Sequence, residues 1–271
     1  MSAKNASPRK RAAVALLVLA VVIGLVGGCA GAGSPGAAAG QDGPLLIAAA
    51  ADLQFAFADT GAQFKEKTGQ AVTFSFGSTG LLTQQIENGA PFDIFAAANV
   101  SYMERLREQG LIMPDSEQPY AQGRLVLMVN RRSGVTATKL ADLQADDIRR
   151  VAIANPAHAP YGVAAQQALQ SAGLWTALQP KIVYGDNVRQ TLQFVQTGDA
   201  QAGIVSLSIA GVPEVRYTPI DPALHQPINQ AMAILKRTKQ EEVARQFVAF
   251  VNGPEGRSIM KKYGFVLPGE F

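Results

Sequence analysis

The sequence predicts an α/β protein built from two doubly wound units. Short apolar runs alternate with helical periodicity from Leu45 onward, and the alternation resumes as a second series at Val151. A chain that alternates strand and helix pairs its strands in parallel through right-handed crossovers, which gives a doubly wound sheet. No internal repeat period is present, so the two series are unequal halves and not a solenoid. With 271 residues, 48% of them hydrophobic, the chain suffices for one large core or two smaller ones.

In the first series, Leu45–Ala50 reads as a buried parallel strand. Asp52 stands where a helix cap belongs, and Leu53, Phe57 and Phe64 form a stripe that ends at Thr68-Gly69. Ala71–Phe76 is the next strand and Gly80–Asn88 the next helix, stopped by Gly89. The turn between them, Gly77-Ser78-Thr79-Gly80, carries small hydroxyls that cap a helix start. Strand Ile94–Ala97 and a helix through Tyr102 and Leu106 close the series.

After a break around Pro114–Pro119, Gly123–Asn130 reads as one strand. The second series is strand Val151–Ala154, a loop with Pro156 and Pro160, helix Val163–Ala172, strand Ile182–Tyr184, helix Val188–Thr197 and strand Ala202–Val205. Strands Val215–Thr218 and Ile228–Ile234 follow, then helices Gln240–Asn252 and Pro254–Tyr263.

The N-terminus is read separately. Lys4, Arg9, Lys10 and Arg11 precede an apolar stretch, Ala12–Val26, and then Gly27-Gly28-Cys29. This is the pattern of a secretory signal over 1–28, and it resembles a bacterial lipobox that makes Cys29 the lipidated first residue. Residues 29–43 are Gly/Ala-rich and read as a flexible tether. Gly31, Gly33 and Gly36 match a dinucleotide fingerprint by letter, but no strand precedes them and no helix follows. Without the signal, 20 basic residues face 21 acidic ones, which gives no argument for a nucleic-acid partner.

The missing chemistry narrows the function. Cys29 is the only cysteine, so the domain after it has no disulfide, thiolate metal site or catalytic thiol. His158 and His225 stand alone, without metal-site spacing, and read as loop or packing residues. There is no G-x-S-x-G elbow and no phosphate-binding G-x-x-x-x-G-K-[ST] loop. An enzyme is therefore not expected, nor a cofactor or a bound metal cation. What remains is four strand-to-helix turns, at Ala51-Asp52, Ser78-Thr79, 155–162 and 185–188, with no Lys or Arg before Arg189. Several helix N-termini converging on the carboxyl ends of strands can hold an anion with neutral donors.

The stretches AAAADLQFAF, SFGSTGLLTQQIENGAPFDIFAAAN, YAQGRLVLMVN and FVNGPEGRSIMKKYGFVLPGE resemble the periplasmic molybdate-binding proteins of bacterial ABC importers. The resemblance runs from about Leu45 to Glu270. It implies the type II periplasmic-binding-protein fold, in which two doubly wound domains joined by crossover strands close on a ligand cleft. Residues 44–122 with 230–271 would form one domain and 123–229 the other.

The ligand it implies is molybdate, with tungstate beside it, and the partner an ABC permease. The protein would be an extracytoplasmic monomer, anchored to the membrane at Cys29. Carried over by position, the oxyanion ligands fall on Ala51, Asp52, Ser78, Thr79, Tyr161 and Val188. Ser206 stands where some members have a tyrosine and is a further position.

This chain departs from the family at the first turn, where Ala51-Asp52 replaces a hydroxyl residue. Asp52 is expected to cap the following helix and point away from the anion. The other reading is that it accepts a hydrogen bond from a protonated anion. Sulfate or phosphate is the alternative ligand within the same class. A transcription-factor effector domain would need a DNA-binding helix-turn-helix where this chain has a secretion signal. The dipyrromethane-type deaminases of this architecture need a cysteine the mature domain lacks.

Overall fold

A computed structural model describes residues 43–271; the signal, the Cys29 lipidation site and nearly all of the tether lie outside them. The first lobe opens with β1 (Leu45–Ala50), a short 3-10 turn and α1 (Gln54–Thr68). Gly69 stops α1 in the left-handed conformation (φ 75°), the usual role of glycine at a helix end. β2 (Val72–Gly77), α2 (Thr79–Glu87), β3 (Ile94–Ala97) and α3 (Ser101–Glu108) follow. β1 pairs in parallel with β2 on one side and β3 on the other, as the alternation requires.

The region read as a break contains a strand, β4 (Gln118–Gly123), with Pro119 inside it. Proline lacks the N–H that a central strand would need, so it is tolerated where one side of the strand is free. β4 is the edge of its sheet, and its partner strand is irregular between Gln230 and Ala231, opposite Pro119. Only Arg124 separates β4 from β5 (Leu125–Asn130), so the segment read as a single strand leaves one sheet and enters the other.

The second lobe continues with β6 (Val151–Ala154), α4 (Pro160–Ser171), the short α5 (Trp175–Leu178), β7 (Ile182–Gly185), α6 (Val188–Thr197), β8 (Ala202–Ser206) and β9 (Val215–Pro219). α4 starts three residues before the expected Val163, because Pro160 is suited to the first helical position. That places Tyr161 in the first turn. The chain returns to the first lobe as β10 (Ile228–Ile234) and ends in α7 (Glu241–Asn252) and α8 (Pro254–Lys262).

The sheets run β2-β1-β3-β10-β4 and β7-β6-β8-β5-β9. Each is mixed: three parallel strands, then two joined antiparallel, so parallel pairing holds only for the βα series. The first lobe is cored by rings. Phe57 and Phe64 meet Phe247 edge-on at 5.9 and 5.2 Å, and Phe74 lies 5.5 Å from Phe57. Edge-to-face pairs add roughly 0.5–1.5 kcal/mol each beyond their buried area. The second lobe packs aliphatic strands against alanine-rich α4, where Ala164, Ala165 and Ala168 are buried and let the helix sit close.

Candidate functional site

The carboxyl ends of β1, β2, β6 and β7 turn into helices around one cavity with about 200 Å³ of atom-free space, its mouth included. Its lining contains Ala51, Asp52, Ser78, Thr79, Tyr161 and Val188, with Gly77, Ala98, Pro160 and Asn187 among the rest. No lysine, arginine or histidine is in that lining. The six candidate positions thus meet in one place. Ser206 does not join them. It is fully buried behind the wall, with its hydroxyl 2.6 Å from Ser208, whose own hydroxyl donates to the Asp52 carbonyl at 2.7 Å.

The second-series turn at α6 is capped as its sequence suggests: the Asn187 side chain accepts from the N–H groups of Arg189 and Gln190. The Ser78-Thr79 turn behaves differently. Ser78 occupies the cap position of α2, yet its hydroxyl makes no cap bond and lies 2.8 Å from His158 Nδ1. Thr79 Oγ1 accepts from the Ala98 N–H at 3.0 Å, which leaves its own proton to donate elsewhere.

Asp52 does not cap its helix and does not point away; no side-chain cap bond exists at that helix start. The residue is 1% exposed. Its Oδ2 accepts from Tyr161 Oη at 2.9 Å and from Gln230 Nε2 at 2.8 Å. Gln230 is held in that orientation because its Oε1 accepts from Tyr120 Oη at 2.8 Å. A local preference for capping has lost to partners 109 and 178 residues away in the chain.

Burial pushes the Asp52 carboxyl up from 3.8 to about 6, against the opposing pull of the Gln230 and Tyr161 hydrogen bonds. Burial, with the Asp52 charge beside it, holds the Tyr161 phenol well above its ordinary 10, so it stays a donor. Burial raises Tyr120 for the same reason.

Sequence reasoning missed Gln230, Tyr120, His158 and Gly123. A Cβ on Gly123 would stand 2.0 Å from Tyr161 Oη and 2.9 Å from Gln230 Nε2, so only glycine leaves room for the pair. Glycine at the end of a strand that enters the other lobe was the available signal, since it marks a close approach.

The lobes also touch beside the cavity. The Gly80 N–H donates to the His158 carbonyl at 2.9 Å, beside the Ser78–His158 side-chain contact. His158 is a loop residue, as read, but it also bridges. Elsewhere between the lobes, the Arg189 guanidinium of α6 lies 5.7 Å over the ring of Phe55 on α1. Among the described residues, no three His, Cys, Asp or Glu side chains converge as a metal site would require.

Two α/β lobes that meet over a small cavity lined by strand-end turns define a solute-binding protein. The family model for bacterial extracellular solute-binding proteins matches residues 45–266. The chain belongs to that family and is not an enzyme. A molybdate-binding protein ModA of Rhodobacter capsulatus is 36% identical over 231 residues, 83% of this chain and 88% of the relative. A putative ABC transporter substrate-binding lipoprotein of Bacillus subtilis is 31% identical over 82% of this chain and 85% of its own length. The solved periplasmic molybdate-binding protein of Azotobacter vinelandii superposes with a TM-score of 0.78 at 34% identity, covering 83% of this chain and 99% of that one. The resemblance read from the sequence and the type II fold it implied both hold.

Proposed function

We propose that this protein captures molybdate, with tungstate as a second ligand, and delivers it to an ABC permease. The single observation that carries the reading is the composition of the cavity: six converging positions that offer amides and hydroxyls, with no cationic side chain among them. Helix N-termini supply oriented N–H donors and a positive dipole end, which is enough for an anion shielded from water. The amides of Ala51, Asp52 and Val188 and the groups of Ser78 and Thr79 are the donors. Tyr161 closes the wall from the second lobe. The names borne by the relatives support molybdate over other tetrahedral oxyanions.

Closure around the anion presents the permease with a single shape, so loaded and unloaded forms are distinguished by conformation. The protein acts as a monomer outside the cytoplasm, tethered through lipid on Cys29. Calorimetric titration with molybdate, tungstate, sulfate and phosphate tests the site. Heat with the first two is expected. No heat with molybdate overturns the assignment, and tighter binding of sulfate or phosphate transfers it to those anions. Cys29→Ala should release the protein from the membrane fraction.

A further inference from the structure

One polar side-chain atom is buried without a partner among the described residues, and it is Asp52 Oδ1. It belongs to a residue that lines the cavity, and the other oxygen of the same carboxylate already accepts two hydrogen bonds. Buried polar atoms are nearly always satisfied, so an orphan oxygen on a residue that lines a ligand cavity calls for a partner. A fully deprotonated oxyanion such as molybdate offers only acceptors. An ionised carboxylate oxygen is also only an acceptor, so the two cannot bond without a proton between them.

We propose that Asp52 binds the oxyanion as a neutral acid, taking one proton from solvent onto Oδ1 and donating it to an oxyanion oxygen. Capture is therefore coupled to proton uptake: one carboxylate, one solvent proton and one dianion become one O–H···O bond in the closed cavity. This rests on the oxyanion reading above and specifies how a first turn with no hydroxyl works.

The surroundings bring no charged side chain to the first turn that would offset the Asp52 charge. β2 and the 3-10 turn Leu207–Ile209 bring no ionisable side chain to the first turn. On α1 the nearest acid in sequence, Asp59, is engaged by Lys262 and Tyr263. α6 presents Arg189, which is turned onto Phe55. α4 presents Tyr161 and β4 presents Tyr120, both neutral donors. His158, before α4, faces Ser78. A dianion would otherwise sit against an ionised carboxylate with no cation in the lining. At an effective dielectric of about 20 that repulsion exceeds severalfold the free energy of protonating a carboxyl already raised to about 6.

The test is calorimetry of molybdate binding to the wild-type protein at pH 7.5, in two buffers of different ionisation enthalpy and free of phosphate. The expected difference in heat corresponds to about one proton taken up per anion, and the affinity should fall about tenfold for each pH unit between 7 and 9. In Asp52→Asn the proton uptake should vanish and the affinity should no longer vary with pH. Binding by the wild-type protein with no proton uptake and a flat pH profile overturns the inference and leaves the oxyanion assignment standing. No heat with molybdate, tungstate, sulfate or phosphate overturns both. Should the variant fail to fold, the wild-type buffer series alone decides.

Discussion

The turns after β1 and β2 occupy equivalent places in one sheet, yet they solve the same task with opposite chemistry. After β2, two neutral hydroxyls are placed, and each has a partner: Ser78 with His158, Thr79 with the Ala98 amide. After β1, Ala51 offers no side-chain donor and Asp52 brings a buried carboxylate whose Oδ1 is unsatisfied. The hydroxyl turn is satisfied with one partner from each lobe, Ala98 and His158. The carboxylate turn is complete only with support from β4, β10 and α4, through Tyr120, Gln230 and Tyr161. Topology sets where a ligand can sit, and side chains set the charge at which it is held.

The sharpest way to break this contrast is to remove the support of the first turn and leave the second intact. Gly123→Ala forces Tyr161 and Gln230 off Asp52. Overpacking plus the lost bonds should cost the closed form about 3 kcal/mol. Molybdate affinity measured by calorimetry should then fall by at least about a hundredfold.

The second change concerns the charge itself. In the fold the Asp52 carboxyl loses its proton near 6, whereas its ordinary value is 3.8. Between those values the folded state holds more protons than the unfolded chain, so stability falls as pH rises and stays lowered above about 6. Two units correspond to about 3 kcal/mol. Asp52→Asn should therefore raise the melting temperature of the ligand-free protein at pH 8, with the gain shrinking to nothing near pH 4. A constant gain across that range would place its origin in packing and not in charge.

Tyr161→Phe keeps the ring and removes one donor from the carboxylate. It should weaken binding about tenfold, near 1.4 kcal/mol, and shift the pH dependence of binding upward as Asp52 loses a bond that favours its ionised form. Ser78→Ala tests the hydroxyl turn and should have the smallest effect. One part-buried hydrogen bond is worth about 0.5–1 kcal/mol, and the affinity should fall no more than about fivefold.

Much of this was legible in the chain. Leu45–Ala50, Val188–Thr197 and Ile228–Ile234 are strand or helix over the residues that periodicity assigned, because each buries one face or both against local neighbours. The four turns followed from that order. β4 was not legible, since Pro119 argues against a strand until its edge position is known. The orientation of Asp52 was not legible either. The sequence around it specifies a cap, and only the folded sheet reveals that Gln230 and Tyr161 compete for the same carboxylate. Ser78 differs in the same way: it holds the cap position, but its hydroxyl meets a histidine from the other lobe and not its own helix.

One contact between the lobes is made by main-chain atoms, the Gly80 amide and the His158 carbonyl. Every residue except proline carries both groups, so no truncation at either position deletes the bond. It can be lost only by adding atoms. A methyl group on Gly80 would stand 2.8 Å from that carbonyl and wedge the lobes apart. Variation at position 80 is therefore one-directional: a side chain added there meets that carbonyl and converts a trap for solutes into a protein held ajar.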